Sequence, residues 1–329
     1  MAPALTLPYE PEPELESEHF HVLDLPALYT KPSPIVLLKT LEKLTLPPPS
    51  WDRPPASQQS TPPGLTNWLT GIIASPLQWI PDEAVQEQIW ESASSRLAER
   101  CGRTAMPSTD RTFKISASLT LTIHEPTLTA DNLGLKTWAS SYLLSKRLPQ
   151  LPLPAFPAGA RALELGSGTG LVGLAAAGTL PGVSSVLLTD LPEIVPNLRR
   201  NVERNRAALG GGGAVDVDVD VAVLDWRDCG EVVEEARRFE LVLAADPIYS
   251  PEHPGLFAGV VGRWMKRDAG ARAVVELPLR VGFEREREDF KVKMGEQGLV
   301  VVEQGVETGW DDWGNGEVSC WWSIWSWGR

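Results

Sequence analysis

The chain has 329 residues, ordinary apolar content and a net charge of −13. So acidic a chain is not built to hold a phosphate backbone, because nucleic-acid affinity is led by Lys and Arg contacts. The length suits one large domain or two modest ones. The three cysteines, Cys101, Cys229 and Cys320, form no CxxC pair, and His19, His21, His124 and His253 show no metal-ligand spacing. Neither a zinc site nor a disulfide framework is expected. MAPALTLPYEPEPELE lacks the basic start and apolar core of a signal peptide, and no apolar run reaches membrane-spanning length. A soluble cytoplasmic protein is expected.

Residues 1–64 read as a proline-rich, acidic, partly disordered leader. Within it IVLLKTLEKLTL (35–46) fits one short helix, and PPPSWDRPPASQQSTPPG (47–64) reads as a linker, since proline opposes both helix and sheet pairing. Residues 65–111 are expected to form a helical extension. PDEAVQEQIWESASSRLAER (81–100) places Val85, Ile89, Ala93 and Leu97 at helical spacing. Acidic residues at its start and Arg96 and Arg100 near its end complement the helix dipole. TFKISASLTLTIHE (112–125) alternates as one long strand or a hairpin.

From Arg161 strands and helices alternate. RALELG, SSVLLTD (184–190), VDVDVDVAVLDW (215–226), FELVLAAD (239–246), ARAVVELPLR and LVVVEQGVE read as six strands, with helices in between. SCWWSIWSW (319–327) is a seventh. Such alternation means a doubly wound, Rossmann-like α/β sheet. The last two strands are joined by TGWDDWGNGEV alone, too short for a parallel crossover, so they form an antiparallel hairpin at the end of the sheet. The expected domain, 112–329, thus has six parallel strands and one antiparallel terminal hairpin strand.

ELGSGTGLVG (Glu164–Gly173) occupies the first strand–helix junction, where glycines let backbone approach a ligand and a helix N-terminus offers free N–H groups. Two registers fit. Gly168, Gly170 and Gly173 match GxGxxG, with Asp190 about twenty residues on, the pattern of a dinucleotide site. Gly166, Gly168 and Gly170 match GxGxG behind an acidic residue; Glu164 would repel a pyrophosphate but help to hold a cation.

The ordered stretches GLKTWASSYLL, ELGSGTG, LLTDLPEIVPNLRRNVERN, LDW and ADPIY resemble the seven-strand S-adenosylmethionine-dependent methyltransferases, and among them the family 16 protein-lysine methyltransferases. DPIYSPEHP is most similar to the fungal branch acting on translation elongation factor 2. The resemblance covers about residues 112–329 and implies S-adenosylmethionine as cofactor. It also implies a protein substrate, with elongation factor 2 as the candidate. A monomer is expected, without direct nucleic-acid or membrane contact.

The resemblance implies roles for single residues. Gly166, Ser167, Gly168 and Gly170 form the cofactor loop with Glu164. Asp190 takes the ribose hydroxyls, since two carboxylate oxygens match a vicinal diol; capping the next helix is a compatible role. Asp225 and Trp226 flank the adenine, although a tryptophan there can also simply pack on the next helix. Trp138 covers the cofactor and Ala245 lines its floor. Asp246 and Tyr249, the Asp-x-x-Tyr pair, orient the substrate amine, with Pro247 making a rigid turn. Asp where nucleobase enzymes show Asn favours a cationic amine. His253 reads better as a helix start than as a substrate contact.

WWSIWSW fits core packing better than nucleic-acid stacking, EREREDFKVK fits a solvated ion-paired helix face, and GGGG (210–213) fits a surface loop. Two other functions compete. A nicotinamide-dependent oxidoreductase fits the GxGxxG register but lacks a Tyr-x-x-x-Lys or His–Asp pair after the fourth strand. A non-catalytic module would show losses in the glycine loop or at Asp190, and none are present. The 81–100 helix is expected to pack near the catalytic core and help choose the substrate.

Overall fold

The computed structural model describes residues 24–46, 51, 62–102, 105–128, 132–210, 217–228, 234–311 and 316–328. The expected leader up to residue 23, with His19 and His21, lies outside the described residues, as do all of the linker stretch 47–61 except Trp51, the glycines at 211–213 and Cys229. The described residues fall into two units. One gathers those of Met1–Thr45 and Gln59–Leu97, the other those of Leu46–Gln58 and Ala98–Arg329.

The first unit is helical. α1 (Pro34–Lys43) opens on proline, which loses no helix hydrogen bond at that position. It buries Leu37 and Leu41, one turn apart on the same face. α2 (Leu65–Ala74) adds Leu65, Leu69 and Ile72. α3 (Glu83–Ala98), the helix expected at 81–100, adds Ile89 and Ala93. Asp82 precedes α3 and accepts the Ala84 N–H at 3.0 Å, which satisfies an otherwise orphaned donor. The indole N–H groups of Trp68 in α2 and of Trp79 between α2 and α3 donate to the carbonyls of Pro26 and Pro32, each at 2.9 Å. They tie the segment before α1 to α2 and to the connection between α2 and α3.

The second unit starts with a hairpin, the shorter of the two readings of 112–125. β1 (Thr109–Lys114) pairs antiparallel with β2 (Thr120–Glu125). α4 (Ala139–Arg147) comes next, then the alternating β3 (Ala160–Leu165), α5 (Leu171–Thr179), β4 (Val183–Asp190), α6 (Val195–Gly210), β5 (Asp218–Val223) and β6 (Leu241–Ala245). The chain continues through α7 (His253–Trp264), β7 (Arg272–Pro278), α8 (Glu284–Glu296), β8 (Leu299–Trp310) and β9 (Glu317–Trp327). The sheet order is β5-β4-β3-β6-β7-β9-β8. Strands β3 to β7 pair in parallel, and β9 is antiparallel to both β7 and β8. The hairpin is therefore at the end of the sheet as expected, with its second strand placed inside its first.

Strands β3 and β6 are buried nearly throughout because helices cover both faces. Side chains from α4, α5 and α6 pack on one face, and those of α7 and α8 on the other. Trp321 and Trp325 belong to that second core, edge-on to Phe290 at 6.2 and 5.5 Å, so the tryptophan-rich end is core packing. α8 buries Phe290 and Met294 and carries ion pairs such as Lys291–Glu288 on its other side.

Trp51 departs from the linker reading. It is buried against Phe113 and Tyr142, with ring centroids 5.5 and 5.8 Å away, and the Arg111 guanidinium lies 4.2 Å from its ring. Truncation at residue 105 would remove this core side chain along with α1 to α3. Trp51→Ala is expected to cost about 3–5 kcal/mol of unfolding free energy, the usual range for emptying a large aromatic site, measured by denaturant titration.

Glu276 on β7 is fully buried, and neither carboxyl oxygen has a hydrogen-bond partner among the described residues. Burial pushes its pKa up to about 8, against the opposing pull of Arg147. The folded chain then holds this proton more tightly than the unfolded one, where glutamate titrates near ~4.3. The resulting stability is fully present below that unfolded value and is lost as pH rises through about 8. Melting temperature should fall between pH 5 and pH 9, and Glu276→Gln should flatten that fall. An equal slope in the variant would rule Glu276 out as its source.

Candidate active site

The strand order reverses at β3, with β4 on one side and β6 on the other, and such a switch point opens a crevice at the strands' carboxyl ends. A cleft lies there. It is lined by Trp138, Gly166, Ser167, Gly168, Asp190, Asp225, Trp226, Ala245, Asp246, Tyr249 and His253, eleven of the residues singled out from sequence. Glu164 and Gly170 do not line it.

The turn after β3 takes its shape from glycines in the left-handed region, Gly166 at φ 64° and Gly168 at φ 55°. A Cβ on Gly168 would sit 2.9 Å from the Gly134 carbonyl oxygen, so a side chain there is excluded twice over. Glu164 lies beneath the turn, buried, and its Oε2 accepts the Gly173 N–H at 2.9 Å. Burial pushes its pKa up to about 8, which weakens its expected role of meeting a cation. Gly173 is inside α5; a Cβ there would lie 2.0 Å from Leu188. The third glycine of the GxGxxG register therefore serves helix-on-strand packing.

Asp190 ends β4 and reaches the turn. Its Oδ2 accepts the Gly168 N–H and its Oδ1 the Leu191 N–H, both at 2.7 Å. Each carboxylate oxygen keeps a second lone pair. Burial pushes its pKa up to about 6. The loop is further held by Asn201 of α6, which donates to the Thr169 carbonyl at 3.0 Å and accepts the His124 N–H of β2 at 2.8 Å.

Asp225 and Trp226 lie just beyond β5, which ends at Val223, whereas the sequence reading carried the strand to 226. Asp225 Oδ1 accepts the Arg227 N–H at 2.9 Å. The Trp226 ring lies edge-on to Phe257 of α7 at 5.5 Å and also faces Gly166, so packing and cleft lining coexist. His253 is the first residue of α7 and still reaches the cleft. Its ring meets that of Tyr249 at 4.3 Å, and burial lowers its pKa. Tyr249 lines the cleft and is 54% exposed.

Asp246 follows β6 at φ 56°, a conformation uncommon for a residue with a side chain. Its N–H donates to the Glu276 carbonyl of β7 at 2.8 Å, which fixes the turn to the sheet. The carboxylate is buried and meets Arg280 through two parallel bonds, at 3.0 and 2.5 Å. Burial pushes its pKa up to about 6, with Arg280 pulling it down.

Arg280 and Lys136 are among the lining residues that escaped the sequence reading. Arg280 follows β7, so the strand-end argument that selected Asp246 would have selected it too. Lys136, two residues before Trp138, is buried 4.0 Å from Glu125, a long-range pair with no periodic signature.

The donor set fits S-adenosylmethionine. A floor of glycine backbone admits close approach, Asp190 and Asp225 offer acceptors for a diol and an exocyclic amine, and Trp226 and Trp138 supply aromatic faces. Among the described residues no cluster of side chains suits a metal ion, and no helix is long and apolar enough to cross a membrane.

A family profile described as lysine methyltransferase matches residues 115–278. The protein-lysine N-methyltransferase EFM2 of Saccharomyces cerevisiae is 38% identical over 253 residues, which are 71% of this chain and 58% of that protein. The protein-lysine N-methyltransferase rrg1 of Schizosaccharomyces pombe is 33% identical over 92% of this chain and 97% of its own length. The protein-lysine N-methyltransferase EEF2KMT of Homo sapiens is 29% identical over 55% of this chain and 56% of its own. Among solved structures, TYW2 of M. jannaschii in complex with AdoMet is 13% identical with a TM-score of 0.41, over 66% of this chain and 86% of that one.

Gly168→Ala should weaken S-adenosylmethionine binding at least tenfold in calorimetry while the far-ultraviolet circular dichroism stays that of the parent. Unchanged affinity would mean that the turn does not carry the cofactor.

Proposed function

This chain belongs to the lysine methyltransferase family, and from that premise we propose that it methylates a lysine of elongation factor 2 in the cleft at the β3 switch point. The observation that carries the reading is the buried, oriented Asp246 carboxylate, held over the strand ends beside the glycine turn and next to Tyr249. Bound S-adenosylmethionine supplies an electrophilic methyl group on a sulfonium. The chain's own task is to hold a neutral amine in line with that methyl, since alignment at short range can supply most of such a rate.

Glycine-turn N–H groups, Asp190, Asp225 and the Trp226 ring grip the adenosine part, and Trp138 covers it. Asp246 accepts an N–H of the substrate amine and fixes where its lone pair points. Tyr249, with its hydroxyl at the mouth, steadies the same side chain as it enters. An acidic cleft wall also draws in a lysine, which must then lose its proton. The nicotinamide alternative draws no support, since no Tyr-x-x-x-Lys or His–Asp pair follows the fourth strand and the relatives named above are protein-lysine methyltransferases.

The choice of elongation factor 2 rests on the DPIYSPEHP stretch and on the family. The α1–α3 unit is a candidate for substrate selection. The test is transfer of labelled methyl from S-adenosylmethionine to proteins of a fungal cytosolic extract. An alkali-stable labelled band of elongation-factor size is expected, at least 100-fold weaker with Asp246→Ala, which should retain cofactor binding. A labelled band of another size would overturn the substrate, and undiminished labelling by the variant would overturn the role of Asp246.

A further inference from the structure

The cleft contains a cation that the proposed chemistry has not yet used. Arg280 puts its two terminal nitrogens on the two oxygens of Asp246, and its guanidinium carbon lies 5.0 Å from the centroid of the Trp138 ring. Its backbone is fastened on both sides. The preceding Leu279 N–H donates to the Ser319 carbonyl of β9 at 2.7 Å, and the Arg280 carbonyl accepts from the Arg287 side chain of α8 at 2.9 Å. The guanidinium is thus aimed, between the aromatic cover of the cleft and its buried carboxylate.

We propose that Arg280 is a positioning residue for methyl transfer, holding the Asp246 carboxylate as an oriented anion so that it can accept the substrate amine. The inference rests on the methyl-transfer reading of this cleft. A fork of two parallel bonds fixes the plane of a carboxylate, which one bond does not. It uses one lone pair on each oxygen and leaves the other for the amine N–H. The guanidinium acts a second time, because a positive charge close to an arriving ammonium favours its neutral form, the only nucleophilic one. Asp246 without Arg280 would be a buried carboxyl that has lost the guanidinium pulling its pKa down. It would hold its proton to higher pH and donate where it has to accept.

Other titratable groups near Asp246 do not take this part. Tyr249 on its own loop and Cys320 on β9 are both held above their usual ranges, largely by burial. Glu276 of β7 meets Asp246 through its backbone carbonyl, while its carboxyl interacts with Arg147. Asp190, on the opposite wall, titrates in the same region as Asp246 and is monitored separately through cofactor affinity.

The test compares the full-length parent, Arg280→Met and Arg280→Lys, with the protein acceptor labelled in the extract. Two quantities are read, the S-adenosylmethionine Kd and kcat/KM from pH 5.5 to 9. The parent profile should steepen below a bend set by ionisation of Asp246. In Arg280→Met the Kd should stay within about threefold, kcat/KM at pH 7 should fall at least tenfold, and the bend should move up by a pH unit or more. Arg280→Lys keeps the charge without the fork, so its bend should stay near the parent's and its rate should fall only in part. A bend that stays in place in Arg280→Met, or moves equally in both variants, would overturn the proposal. If the Met variant fails to bind cofactor, the Lys variant decides: a retained bend with a partial fall in kcat/KM counts for the proposal, and a displaced bend or an undiminished rate against it. Failure of the parent to label any protein would instead overturn the methyl-transfer reading beneath it.

Discussion

Two buried carboxyl groups hold the turn between β3 and α5, and the cleft exists because they do. Asp190 fastens the Gly168 N–H from the neighbouring strand, and Glu164 fastens the Gly173 N–H from below. Left-handed glycines have little preference of their own, so a turn made of them needs external partners to adopt one shape. Asp190 supplies one at Gly168 and Glu164 anchors the helix that follows, both at the cost of burial that raises their pKa values. The same turn lines the cleft with Gly166, Ser167, Gly168 and Thr169.

Around this turn the structure links elements far apart in sequence. Asn201 and Asn205 stand one helical turn apart on α6, and both exchange hydrogen bonds with the backbone of β2, at His124 and Thr122. Asn201 also reaches Thr169 in the turn. The hairpin thus packs against α6 through polar side chains that satisfy one edge of β2, and it bears on the turn after β3 through Asn201 and through Glu125 and Thr137. Trp51 fixes the far side of the same hairpin by covering Phe113 and Arg111.

The opposite wall is organised by charge. Asp246 sits in a backbone conformation that side chains avoid, with its carboxylate out of water. Strain and burial of this kind persist where surrounding structure over-determines them. Here a backbone bond to β7 and the fork of Arg280 do so. Carboxylate, guanidinium and indole then form one layer from Asp246 to Trp138.

The order of strands and helices, the terminal hairpin and eleven of the cleft residues were legible in the sequence. They come from local rules: alternation sets strands, apolar spacing sets helices, and strand ends face the ligand. Partners across the fold were not legible. Nothing in the sequence separates Glu164, which looks down at Gly173, from Asp190, which looks into the cleft, because both end or nearly end a buried strand. The linker reading of residues 47–64 missed the burial of Trp51 for the same reason, since proline content reports on local pairing and not on whether one side chain finds a distant pocket. Local sequence therefore determined which elements form and which chemistry the chain carries. Tertiary structure alone decided which carboxylates line the cleft, which hold the backbone, and that Arg280 reaches Asp246, since those choices depend on distances between residues that only folding brings together.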